Sequence, residues 1–464
     1  MRLPAIRTAL LGAAAALALT APAAAQDFVV TNATVALGDG SEPLENATVV
    51  VRDGRILAAG TGVSAPAGVE TIDGTGKWVT PGIFSAVTGL GLSDVDGVSD
   101  SNDESAGNSP FSAALDVSTA LNPNSQDVLV ARADGITRAS VISRPSASIF
   151  GGQGAVIDLG ADPEMVTRTR AFQVVDLGET GARISGGSRT SAHALLRNAL
   201  REAQQYGDRS AIGAATARPA DARFGDDIPL DPRLSGRDSG RAGDVLLTRF
   251  DAAALVPVVR GQQPLYVVAE RAADIREVLK LTRDFPQLDL VILGASEGWL
   301  VGSDIAAAGV PVIADPLDDL PTGFDQLAAT QSNIGRMRAA GVTVAIGRMS
   351  GGTGEQPRNA RQYAGNLVAL SRLPGATGLS WGEALATITS IPARIAGFGG
   401  RLGTLTSGAT ADLVIWDGDP LEVGSAAEAV FIDGVRQPRD NHQTRLRERY
   451  RDLDESDLPK AYAW

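Results

Sequence analysis

The chain has 464 residues, a formal net charge of −13, no cysteine and only two histidines, His193 and His442. Without thiols it can form no disulfide, thiolate metal site or cysteine nucleophile, and two imidazoles cannot build a centre that needs several. The acidic excess offers no general attraction to phosphate backbones or anionic lipid, which argues against a nucleic-acid partner.

In chain order, Arg2 and Arg7 precede an Ala/Leu run over 9–21 and the small residues Ala23, Ala24 and Ala25. That order of charge, apolar core and small residues predicts a signal peptide over 1–25, cut after Ala25, and a secreted or periplasmic product. The apolar run is shorter than the roughly 20 residues that span a bilayer, and no later stretch reads as a membrane span.

Short β-branched runs separated by turns predict strands over 28–35, 47–52, 55–59 and 69–73, with Asp53-Gly54 as a hairpin turn. The same texture returns over 411–416 and 429–432, so the two ends, 26–79 and 402–438, are expected to build one β-sandwich. Between them, apolar runs over 288–293, 310–313 and 342–346 each follow a helical-looking stretch such as 273–285. Strand and helix in alternation imply an α/β unit of parallel strands over 80–401. Segments near 94–127 and 216–244 are Ser-, Gly-, Asp- or Pro-rich and read as loop insertions. The last stretch, 439–464, is a charged tail with a helical segment over 444–453.

Five blocks carry a resemblance. They are Gly76-Lys77-Trp78-Val79-Thr80-Pro81-Gly82-Ile83; Gly135-Ile136-Thr137 with Phe150-Gly151-Gly152-Gln153-Gly154; Pro264-Leu265-Tyr266-Val267-Val268-Ala269-Glu270; Val291-Ile292-Leu293-Gly294-Ala295-Ser296-Glu297; and Ala340-Gly341-Val342-Thr343-Val344-Ala345-Ile346-Gly347. A closing signature follows: the run Trp381 to Arg394, which contains Ile391-Pro392-Ala393-Arg394, then Leu402-Gly403-Thr404-Leu405 and residues 408–419. In this order the chain resembles the amidohydrolase superfamily, in particular its exported imidazolonepropionase-like members. The resemblance implies a TIM-type (β/α)8 barrel and hydrolysis of non-peptide C–N bonds by a divalent metal such as zinc.

The departures fall on the metal. Val87 and Gly89 stand where the family has its His-x-His pair, Val268 and Leu293 where single histidines occur, and Met349, beside Arg348, where the family's aspartate binds metal and serves as base. None of these side chains ligates zinc, and an arginine repels a cation. The expected cofactor is therefore none. Polar candidates near the strand ends are Ser85, Thr88, Glu270, Glu297, Asp315 and Arg348; Glu270 is expected either as a base or as the structural partner of Arg348. The glycines at 151, 152 and 154 suggest tight turns, and no Lys-Ser/Thr follows them as a phosphate loop requires. His193 reads as a packing residue on a helix and His442 as a tail residue.

Two function classes follow, with a structural envelope protein as a third. One is a noncatalytic relative that binds a small-molecule ligand or, as a homo-oligomer or hetero-oligomer, stabilises an active amidohydrolase. The other is a hydrolase of amides or cyclic ureides with a metal-independent site around Glu270.

Overall fold

The computed structural model describes residues 25–95, 98–216, 246–347 and 357–451. Residues 1–24 of the expected signal peptide, nearly all of the 216–244 insertion, Arg348, Met349 and the end of the tail lie outside the described residues.

Strands β1 (Phe28–Val35), β2 (Leu44–Arg52), β3 (Arg55–Gly60), β4 (Glu70–Asp73) and β5 (Trp78–Pro81) come from the N-terminal part. Eight strands later in the chain, β6 to β13, form a second sheet, and β14 (Leu413–Trp416), β15 (Ala427–Ile432) and β16 (Val435–Arg436) return to the first. The first sheet runs β16-β15-β14-β5-β1-β2-β3, with β4 also on β1, so both chain ends share one sheet. Asp53 and Gly54 at φ 49° and 70° make the β2–β3 turn, and Asp433 and Gly434 at 52° and 76° the β15–β16 turn. Positive φ at both centres matches the twist of antiparallel strands. The sheet folds over its own core: Phe28 on β1 and Phe431 on β15 stack with ring centroids 4.3 Å apart, whereas in a flat sheet three strand spacings would hold them about 14 Å apart.

The second sheet contains β6 (Ile83–Thr88), β7 (Ile136–Val141), β8 (Phe150–Asp158), β9 (Val166–Asp176), β10 (Leu265–Ala269), β11 (Leu290–Gly294), β12 (Val312–Ala314) and β13 (Val344–Ile346). They neighbour one another in chain order. From β9 to β13 every pair is parallel, as is β6 with β7. Backbone from the closing signature shuts the ring. Ile346 N donates to Thr387 O at 3.0 Å, and Phe84 N donates to Ile388 O at 2.9 Å, so Thr387 and Ile388 bridge β13 and β6. This is the expected barrel, with helices such as Ala272–Asp284 turning Ile275, Val278 and Leu281 into the core around it.

One strand differs from the alternation read in the sequence. β8 runs antiparallel to both β7 and β9, and it contains Gly151, Gly152 and Gly154, which the sequence suggested for turns. Close approach explains Gly154: a Cβ there would lie 2.1 Å from the ring of Phe172. That ring in turn stacks on Tyr266 at 4.1 Å. The tail helix occupies His442–Arg449, starting two residues earlier than expected because Asn441 caps it by accepting from Gln443 N and Thr444 N.

An ion cluster around the buried Arg138 joins barrel and terminal sheet. Arg138 on β7 donates through Nε to Asp412 Oδ2 at 2.7 Å and through Nη2 to Asp433 Oδ1 at 2.8 Å, with Asp158 at 3.5 Å. Burial opposes its charge, but the three carboxylates outweigh burial and hold the guanidinium above its ordinary range. No helix among the described residues is long and apolar enough to cross a membrane.

Candidate binding site at the barrel mouth

Strand alternation sorts the barrel interior into layers. Val174, Tyr266 and Val291 pair across β9, β10 and β11 in one row of the apolar interior, with Phe172 below and Leu293, Ile313 and Ala345 above. The register is continuous: Val268 pairs with Leu293, Leu293 with Ile313, and Ile313 with Ala345. Val268 and Leu293, the positions that the resemblance assigns to single histidines, thus sit side by side.

Asp176, which ends β9, pairs with Val268 and brings a carboxylate into the same row, and Glu270 stands one step higher, just beyond β10. Here a cavity of about 500 Å³ opens, bordered by Ser85, Val87, Thr88, Gly89, Val268 and Glu270 among the residues singled out in the sequence. Leu293 lies beneath it, fully buried. Glu297 and Asp315 do not border it, and the two histidines lie elsewhere.

Glu270 is the most perturbed acid there. Its Oε2 accepts from Ser296 N at 2.9 Å and Ser296 Oγ at 2.7 Å. Burial, then the charge of Asp315, pushes its carboxyl up to about 8 despite those donors. Its Oε1 lies over the end of β11, where a Cβ on Gly294 would come within 2.1 Å of it; Gly294 also holds φ at 91°. Only glycine meets both demands.

Glu297 has a structural task. Its Oε2 accepts from Ala272 N at 3.0 Å and its Oε1 from Ala328 N at 3.1 Å, tying the start of the Ala272–Asp284 helix to the loop after β12. His193 is half-buried on the helix Arg189–Thr216, and burial lowers its basicity. His442 begins the tail helix, with Nδ1 3.0 Å from Gln126 Oε1.

Sequence reasoning missed several acids and one base of the mouth: Glu104, Asp176, Glu179, Asp325 and Arg144. Asp176 Oδ1 accepts from Gly178 N at 2.8 Å and Gly181 N at 3.1 Å, yet burial keeps its carboxyl above the ordinary range. Asp325 is raised likewise by burial and by Glu179. Glu104 comes from the 94–127 insertion and lies against Gly89, where a Cβ would meet its Oε1 at 2.6 Å, with Arg144 3.4 Å away. The strand-ending run Val174-Val175-Asp176 was a usable signal. Glu104 and Asp325 sit in irregular segments, where no periodicity marks direction.

The donor set fits a catalytic metal poorly. Among the described residues no group of three or more His, Cys, Asp or Glu is placed to hold a metal ion. Val87, Val268 and Leu293 offer methyl groups, and Gly89 faces a carboxylate already 3.4 Å from Arg144.

Comparison with known proteins places these observations in a lineage. Residues 295–436 match the family model described as "Amidohydrolase family". The chain is 26% identical over 388 residues to "Amidohydrolase tasK" of Hapsidospora irregularis, a match covering 79% of this chain but 37% of that protein, so the chain spans well under half of that relative's length. It is 27% identical over 398 residues to an imidazolonepropionase of Mesorhizobium japonicum, covering 81% and 87% of the two chains. Among solved structures it is similar to an amidohydrolase from Thermotoga maritima MSB8, with TM-score 0.73 and 23% identity over 89% of this chain and all of the other, a likeness of fold.

Proposed function

We propose that this chain, which belongs to the amidohydrolase superfamily, is an exported member that binds a small ligand in its barrel mouth and does not carry out the metal-dependent hydrolysis associated with the fold. The observation that carries this reading is the layer in which Val268 pairs with Leu293. Two imidazoles in that row would face the barrel axis beside Asp176, whereas Val268 and Leu293 give a metal nothing to bind there. Converting a ligand shell to hydrocarbon removes the means of lowering the pKa of a bound water. What the mouth retains is a cavity within the size range of small-molecule sites, with a few polar groups over an apolar floor. In this reading the barrel also serves an oligomer, either of its own copies or with a metal-bearing relative, for which the intact scaffold suffices.

A second reading rests on Glu270. A carboxyl pushed up to about 8 and held by Ser296 can exchange a proton near neutrality, as a general acid or base in amide or cyclic ureide hydrolysis without metal requires. One assay separates the two. Purified protein, supplied with zinc and then with a chelator, is presented with a panel of amides and cyclic ureides, and turnover is measured. Ligand binding without turnover in both conditions supports the binding role. Turnover that survives chelation and is lost in Glu270→Gln establishes the second reading, and turnover that needs zinc sinks both.

A further inference from the structure

Beside the mouth lies a second cavity of about 430 Å³, and the two share Ser143 and Arg144 in their walls. The second cavity mixes hydroxyl and apolar groups in its lining. The loops carrying residues 103–120 and 143–151 contribute Ser105, Ser109, Ser112, Ser146 and Ser148. The same loops bring Phe111, Leu115, Ile149 and Phe150, and Leu195 and Ala199 of the helix Arg189–Thr216 with Leu246 and Leu247 ahead of the helix Arg249–Val259 add further hydrocarbon.

Two of these hydroxyls are set to donate. Ser109 Oγ accepts from Phe111 N at 3.0 Å and Ser148 Oγ from Phe150 N at 3.3 Å, which leaves each hydroxyl hydrogen for another acceptor. Asp251, the buried acid of this cavity, is already occupied by Ser112 N and Ala114 N, both at 2.9 Å, and by Thr248 Oγ1 at 2.7 Å. It is not a seat for a ligand cation. An anionic ligand is disfavoured at the other end, where Asp176, Glu179 and Asp325 border the mouth. Hydroxyl donors set among hydrocarbon suit a chain in which carbonyl acceptors alternate with apolar groups.

We propose that the two cavities form one cleft for an elongated uncharged amide, with the second cavity as its distal subsite and Ser143 and Arg144 at the junction. The proposal rests on the mouth being a ligand-binding site.

Titration calorimetry with two probes tests it: N-acetyl-leucinamide, which fills one cavity, and N-acetyl-leucyl-leucinamide, long enough to enter both. The longer probe is expected to bind about tenfold more tightly, the increment of one or two neutral hydrogen bonds with their flanking contacts. Ser146→Trp, at an exposed position of the distal wall, is expected to abolish that increment and leave the shorter probe unaffected. Ser109→Ala, a smaller change, is expected to reduce it. Equal affinity for the two probes, or an increment that survives both substitutions, overturns the distal subsite while the mouth reading stands. If neither probe binds, the mouth reading fails and the subsite with it.

Discussion

Glu270 concentrates the chemistry of the mouth in one side chain. Its carboxyl, pushed up to about 8 in the fold, keeps its proton over a range where the unfolded chain, near 4.5, has lost it. The folded state therefore binds more protons between these values, and stability falls as pH rises from about 4.5 to about 8, then levels off. Glu270→Gln, neutral at every pH, is expected to flatten this slope and to be the more stable protein at pH 8, by on the order of a few kcal/mol. Urea midpoints measured across that range check it; parallel slopes for the two proteins would contradict the assignment. The sequence placed Glu270 on the cavity side because it follows Val268 by two residues. It did not disclose Ser296 as the donor, since that contact crosses from the end of β10 to the end of β11 and depends on Gly294 having no side chain.

At the scale of elements, the strand and helix alternation was legible wherever the chain is regular. The helix expected over 273–285 is found at Ala272–Asp284, and the apolar runs after it are β11, β12 and β13. The reversed β8 was not legible, because three glycines within five residues signal a turn when local propensity is the only guide. Packing against Phe172 overrode that propensity. Glu297 shows a related limit: an acid past a strand end looks catalytic until its partners are known. Both of its oxygens hold backbone N–H groups, so Glu297→Ala is expected to cost about 1–3 kcal/mol by stranding those donors. It is expected to loosen the 317–330 loop while leaving the terminal sheet intact. Denaturant unfolding with hydrogen exchange on that loop measures both effects, and a loss of less than a few tenths of a kcal/mol would refute the clamp.

For the whole molecule, the closing signature is a structural element. Thr387 and Ile388 complete the barrel ring, and Asp412 meets Arg138 where barrel and terminal sheet join. These residues preserve architecture whether or not chemistry is retained. Arg138→Met is expected to destabilise the protein by about 3–5 kcal/mol, since it leaves Asp412 buried without its counter-charge. Adding Asp412→Asn is expected to restore part of that loss in thermal unfolding, and no restoration would argue against the pair. The composite sheet and the barrel could both be foreseen from the pattern of runs and motifs, whereas of the acidic mouth only the strand-end acids Asp176 and Glu270 carried a signal, because Glu104, Glu179 and Asp325 come from segments that meet only in the fold.

The most direct measurement is the metal content of the full protein purified from zinc-supplemented medium, determined by mass spectrometry of the ions after extensive dialysis without chelator. Hydrocarbon at Val87, Val268 and Leu293 predicts far less than one transition-metal ion per chain. One zinc, iron or manganese per chain, retained through dialysis and released only with loss of ligand binding or turnover, would contradict the account.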